Sequence, residues 1–176
     1  MAESACTPGQ TVGPFFGLAL PYPGDGDLVG DDHPRAVRLH GTVYDGAGHG
    51  VPDALVEVWQ PDDAGRIPRR PGSLRRDGAA FTGWGRCPTD AAGRYGFTTL
   101  APAAAEPGRA PFFAIAVFAR GLLDRLFTRA YLPGGDVDPA LASLVCVAES
   151  NGAAYRFDIH LQGPRETVFL TYRDAR

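Results

Sequence analysis

Near the end of the chain, Tyr155, Phe157, Ile159 and Leu161 alternate with Arg156, Asp158, His160 and Gln162. Apolar side chains at a period of two share one face only in extended backbone, because successive side chains of a strand point to opposite sides. Such a half-buried strand needs a sheet around it. The rest of the chain offers one: residues 37–44, 54–60, 95–99, 112–119 and 126–132 read as strands, rich in β-branched and aromatic residues. Clusters such as Asp45-Gly46-Ala47-Gly48 and Pro61-Asp62-Asp63-Ala64-Gly65 end them as turns, and Gly83-Trp84-Gly85 reads as another. Residues 167–172 are expected to fold back on the alternating strand as a hairpin across Gly163-Pro164-Arg165, and residues 139–146 to form one or two helical turns. Many short strands with turn chemistry between them predict an all-β protein, an antiparallel β-sandwich with long loops.

Residues 7–36 are rich in Gly, Pro and Asp without periodicity. We therefore expect an extended N-terminal arm over 1–36, ordered by what it packs against, and one sandwich domain over 37–176. A hydrophobic fraction of 44% excludes a disordered chain, and a formal charge of −3 leaves no electrostatic footprint for nucleic acid or anionic membrane. The segment 66–80, with Arg69, Arg70, Arg75 and Arg76, reads as a polar loop. Cys6, Cys87 and Cys146 show no CxxC spacing, so no disulfide framework is expected. With no signal-peptide pattern and no apolar run of spanning length, a soluble, cytoplasmic protein is the expectation.

The residues alone expose no catalytic set. His33, His40, His49 and His160 lack ligand spacing and fall in loops or on polar strand faces. There is no nucleophile elbow and no phosphate-binding glycine loop. Asp62 with Asp63, or Glu57 with Asp158, reads as salt-bridging or solvated carboxylates rather than an acid–base pair.

Three blocks carry a resemblance: Leu39-x-Gly41-x-Val43-x-Asp45-x-x-Gly48; Ala54-x-Val56-Glu57-Val58-Trp59-Gln60-x-Asp62-x-x-Gly65; and Phe81-x-Gly83-x-Gly85-Arg86-x-x-Thr89-Asp90-x-x-Gly93-x-Tyr95-x-Phe97-x-Thr99. In order and spacing they resemble the intradiol ring-cleavage dioxygenases. Each residue has a structural reading: glycines for turns, Trp59 and Phe97 for core, Asp90 for a turn hydrogen bond. Catalytic members of that family hold Fe(III) with two tyrosines and two histidines. The resemblance puts the first tyrosine within 61–82, which has none, and the second where Glu106-Pro107-Gly108-Arg109 stands. The H-x-H pair is replaced by Phe112-Phe113-Ala114, an apolar exchange that implies a pocket filled as core. No catalytic residue and no metal ligand is therefore assigned to this chain.

Loss of all four ligands with retention of the sandwich resembles the α-type subunits of the protocatechuate 3,4-dioxygenase branch. Thr7-Pro8-Gly9-Gln10-Thr11-Val12-Gly13-Pro14-Phe15 resembles their N-terminal arm, Phe118-Ala119-Arg120-Gly121 and Thr128-Arg129-x-Tyr131 a strand end and the strand after it, and residues 154–169 their closing hairpin. That likeness implies a partner, an iron-holding β subunit, with Fe(III) as the cofactor of the assembled enzyme. It also implies that Thr11, Gly13, Pro14, Phe15 and Arg120 line the partner's pocket for the carboxylate of the substrate, protocatechuate. A guanidinium fork suits a carboxylate because it donates two parallel hydrogen bonds. Phe15 departs from the tyrosine of the likeness and lacks its hydroxyl. The implied reaction is O2-dependent cleavage of protocatechuate between its hydroxyl-bearing carbons to 3-carboxy-cis,cis-muconate. Two other readings remain at this point: a self-sufficient dioxygenase with unusual ligands (His33, His40 or His160 with Tyr155), and a transthyretin-like binding module without enzymatic function.

Overall fold

The computed structural model describes residues 9–13, 16–69 and 80–172. Among the described residues nine strands follow in chain order: β1 (Ala36–Tyr44), β2 (Leu55–Trp59), β3 (Trp84–Pro88), β4 (Arg94–Leu100), β5 (Phe112–Phe118), β6 (Leu126–Tyr131), β7 (Val147–Glu149), β8 (Ala154–Arg156) and β9 (Ile159–His160). One sheet runs β4-β1-β8-β7 with β9 also on β1; the other runs β3-β2-β5-β6. The two pack face to face, as expected of a sandwich. Inward positions alternate: Leu39 and Val43 on β1 meet Val56 and Val58 on β2 and Phe113, Ile115 and Val117 on β5 in one core.

The turns owe their shape to one repeated device. Asp45, Asp62 and Asp90 each begin an Asp-x-x-Gly loop, and each accepts two backbone N–H bonds on Oδ1, from the residues two and four positions on, at 2.8–2.9 Å. The closing Gly48, Gly65 and Gly93 adopt φ of +84°, +79° and +79°, a region where a Cβ is strained. These bonds hold all three carboxyls below the ordinary carboxylate range; at Asp62 they outweigh the opposing cost of burial. The expected role of Asp90 in a turn is what the structure shows.

Three expectations need correction. Gly83-Trp84-Gly85 is a turn only at Gly83 (φ +69°), and Trp84 opens β3, whose ladder to β2 pairs Trp84 with Trp59. The alternating C-terminal strand runs parallel to β1, so the ladders are antiparallel except there. It is also broken into β8 and β9 at Phe157 and Asp158, yet both pieces keep one register against β1. At the break Phe157 N–H donates to His40 O, Thr42 N–H donates to the Asp158 carboxylate at 3.1 Å, and the Tyr95 hydroxyl donates to Phe157 O at 2.5 Å. These three bonds stand in for the interrupted ladder. Gly41 makes the approach possible, since a methyl group in its place would overlap the Phe157 carbonyl.

The expected closing hairpin is the third correction. Thr167 N–H reaches His160 O at 3.0 Å, but Leu170 N–H donates to Phe127 O at 2.7 Å and Val168 O accepts from Thr128 Oγ1 at 2.9 Å. The tail thus leaves the first sheet and clasps β6 of the second. The N-terminal segment packs on the sandwich. Leu28 and Val29 are core residues, and 25–28 bonds to Thr98 on β4 and to Arg86 on β3, stitching one edge of the sandwich closed. Residues 139–144 form the expected helical turn, of 3-10 type, capped by Asp138. Of the Arg-rich loop, residues 70–79 lie outside the described residues.

Candidate functional site

The positions that would carry the H-x-H pair lie on the outer face of β5. Alternation sends Phe113 inward, fully buried, and leaves Phe112 and Ala114 facing out. Contrary to the expectation, neither replaced position is filled as core: Phe112 lines an open cleft of about 480 Å³ between β5, β6 and the loop leading to the 3-10 turn. Across the ladder from Ala114 stands Arg129. Its guanidinium lies 4.2 Å from the centre of the Phe112 ring and donates from Nη1 to the Tyr131 hydroxyl at 3.2 Å. Tyr131 in turn meets Phe112 edge-on at 5.5 Å. Burial works against the charge of Arg129, but the phenols of Tyr131 and Tyr172 more than offset it, so its pKa is raised.

Whether these residues fit a ferric ion is a matter of donor chemistry. Phe112 and Ala114 offer no lone pair, and a permanent cation stands beside both positions. Metal ions are held by anionic or neutral donors, and a guanidinium repels them. The residues do not fit the iron. The region of the second expected tyrosine is exposed loop, where Arg109 pairs with Glu106 at 3.7 Å.

The histidines are dispersed. His40 meets Glu149 at 3.0 Å, His49 meets Asp45 at 3.7 Å, and His33 Nδ1 accepts from Arg35 N–H. His160 stacks on Tyr44 at 4.8 Å, its pKa lowered by burial and by Arg165. Among the described residues no three His, Cys, Asp or Glu side chains gather as a metal site. Tyr155 lies against Phe113 in the sandwich rather than beside a histidine cluster. The carboxylates behave as ion-pair or backbone partners: Glu57 binds Arg86 at 2.7 Å, Asp62 binds Arg66, Asp63 binds Arg35, and Asp158 accepts from Thr42.

Of the residues implied to line a partner's pocket, Thr11 and Gly13 are exposed, and Pro14 and Phe15 lie outside the described residues. Arg120 sits on the β5–β6 hairpin, 58% exposed in its side chain, 2.8 Å from Asp53. The arm passes close by. Phe16 packs on Phe118 at 5.5 Å between ring centres, Gly17 lies against Asp53, and Gly9 lies beside Leu123. The fold thus collects the arm and Arg120 at one end of the second sheet, although Gly17 and Arg120 are 103 residues apart in sequence (120 − 17).

Sequence reasoning missed the outer face between these two places. Trp59, expected in the core, is 56% exposed, because the inward positions of β2 are Val56 and Val58 and its neighbours on either side must face out. With Ala114, Ala116, Phe127 and Tyr172 it lines a shallow groove of about 550 Å³. The parity of β2 and β5 was the available signal. Among the described residues no helix is long and apolar enough to cross a membrane.

Comparison with known proteins agrees with this architecture. A family model described as Dioxygenase matches residues 13–112. The chain is 35% identical to a protocatechuate 3,4-dioxygenase alpha chain from Burkholderia cepacia, over 93% of this chain and 96% of the relative. It is 32% identical to the beta chain from the same organism, over 85% and 77%. Among solved structures, the dioxygenase domain of a dioxygenase and carbohydrate-binding fusion protein from Streptomyces sp. SirexAA-E superposes with a TM-score of 0.62, at 26% identity over 89% of this chain and 98% of that one. A hydroxyquinol 1,2-dioxygenase from Pseudomonas putida DLL-E4 shares the fold, with a TM-score of 0.58 at 19% identity over 90% and 67%. The family is an iron-dependent one. The chain belongs to the intradiol dioxygenase family, in the lineage of the protocatechuate 3,4-dioxygenase alpha chains.

Proposed function

We propose that this chain is the non-catalytic α subunit of a protocatechuate 3,4-dioxygenase, pairing in the cytoplasm with a β chain that holds the iron. The observation that carries this reading is the triad of Phe112, Ala114 and Arg129, where donors have given way to an aromatic ring, a methyl group and a cation. A chain so built supports ring cleavage from outside the metal's coordination sphere. The bound metal of the partner supplies activation of the catechol towards O2. What this chain's own residues do is bind and orient.

Thr11, Gly13, Pro14 and Phe15 form the part of the arm that reaches the shared pocket, and Arg120 provides its charge. The Arg120 guanidinium has donors beyond the one engaged by Asp53, so it can accept a substrate carboxylate without giving up that anchor. A paralogous partner of like fold presents matching surfaces, which makes a pseudo-twofold pair the natural assembly. The pair converts protocatechuate and O2 to 3-carboxy-cis,cis-muconate, and the implied domain division keeps residues 1–36 as the contributing arm.

The test is co-purification from the native cytoplasm. A complex carrying iron and taking up oxygen with protocatechuate is expected, with Arg120→Ala raising KM for protocatechuate more than for catechol. A chain that comes down alone and inactive would put the binding-module reading first. Iron held by this chain alone would overturn the assignment.

A further inference from the structure

Arg129, which lines the cleft beside Phe112, carries a donor that is left unsatisfied among the described residues. Arg129 Nε is buried without a hydrogen-bond partner among the described residues, although Nη1 of the same group is engaged by Tyr131. A buried donor without an acceptor is costly, and the cost is recovered when an acceptor arrives. The charges around the cleft are sorted by depth. On its floor, formed by Pro111, Phe112, Arg129 and Tyr131, the one ionic group is the guanidinium; Glu106, Arg109, Asp136 and Asp138 are exposed at the rim. Two rim acids are already occupied, Glu106 by Arg109 and Asp138 by Ala140 N–H. The side walls are apolar, with Val137 and Leu141 partly buried against the core. A volume of about 480 Å³ accommodates a single aromatic ring with its substituents.

We propose that this cleft binds a small aromatic carboxylate without a metal, its carboxylate on the Arg129 guanidinium and its ring between Val137, Leu141 and the edge of Phe112. The inference stands on this chain alone and does not depend on the proposed assembly. A planar anion matches a guanidinium already held flat by the ring beneath it, because the fork is fixed before the ligand comes.

The probes are benzoate and its neutral isostere benzamide, titrated into the purified full chain by calorimetry with thermal melting as a second readout. Saturable benzoate binding at one site per chain is expected, with little from benzamide. Arg129→Gln should weaken benzoate by roughly ten- to a hundredfold, the range of a charged hydrogen bond. Arg109→Gln, at the exposed rim, should leave it nearly unchanged. If circular dichroism shows the Arg129→Gln chain unfolded, Arg129→Lys keeps the charge over Phe112 while removing Nε, and still weakens benzoate. Equal binding of benzoate and benzamide, no binding of either, or unchanged benzoate affinity in the Arg129 variants would each overturn the proposal.

Discussion

Gln60 ties the two sheets together at one end, and its removal tests the packing logic of the sandwich. It follows Trp59 at the end of β2 and is 5% exposed. Its Nε2 donates to Leu100 O on β4 at 2.8 Å, and its Oε1 accepts from Thr99 Oγ1 at 2.6 Å. Thr99 is fully buried and Leu100 nearly so. Gln60→Leu keeps about the same volume but leaves a buried carbonyl and a buried hydroxyl without partners. At about 1–3 kcal/mol for each, less the gain from an added apolar side chain, the expected loss is about 3 kcal/mol. For a chain of this length that lowers Tm by roughly 6–12 °C. Thr99→Val alone should cost about 1–2 kcal/mol, since it strands only Oε1. The double variant leaves one orphan, the Leu100 carbonyl, so the two costs should fall short of additivity by about 1 kcal/mol or more. Urea unfolding followed by far-UV circular dichroism measures all three. A Gln60→Leu loss under about 0.5 kcal/mol, or strict additivity, would refute the idea that this side chain bonds the sheets.

Alkaline pH should unfold the protein early. Burial pushes the Cys146 thiol up to about 12 and the Tyr95 phenol well above its usual value, so the unfolded chain loses these protons first. Stability is then complete below the ordinary thiol pKa of 9.0 and falls as pH rises above it, with a limiting slope of about 1.4 kcal/mol per pH unit for each group. Cys146→Ala should flatten the first part of that fall in pH-dependent urea midpoints. On the acid side, the lowered carboxyls of Asp45, Asp62 and Asp90 lend stability that is present above their ordinary pKa of 3.8 and is lost as pH drops below it; Asp90→Asn should reduce the acid sensitivity. Gly41→Ala should fail to give a soluble native chain, because the overlap is with backbone at Phe157 rather than with a movable side chain. Restoring the pair by Phe112→His with Ala114→His should not bring stoichiometric iron by elemental analysis, because Arg129 remains beside both positions and holds the nearby Tyr131 phenol as its hydrogen-bond acceptor.

The sequence by itself determined most of the strands, though not β3 or β7, together with the Asp-x-x-Gly turns and the lack of ligands. Strand positions follow from period-two patterns, the Asp-x-x-Gly loops from local hydrogen bonding, and the absence of tyrosine from 61–82 from simple reading. All of these are properties of neighbours along the chain. What the tertiary structure alone decided depends on residues far apart. That β8 and β9 run parallel to β1 rests on Gly41, Asp158 and Tyr95 meeting at one break. That Trp59 faces out, and that the tail clasps β6 instead of closing a hairpin, depends on which sheet covers which face. Arg129 is the clearest case. Its sequence neighbourhood marks only a strand, and its meaning comes from the Phe112 ring on the adjacent strand. Ladder pairing and charge placement are set by contacts across the sandwich, and no local pattern encodes them.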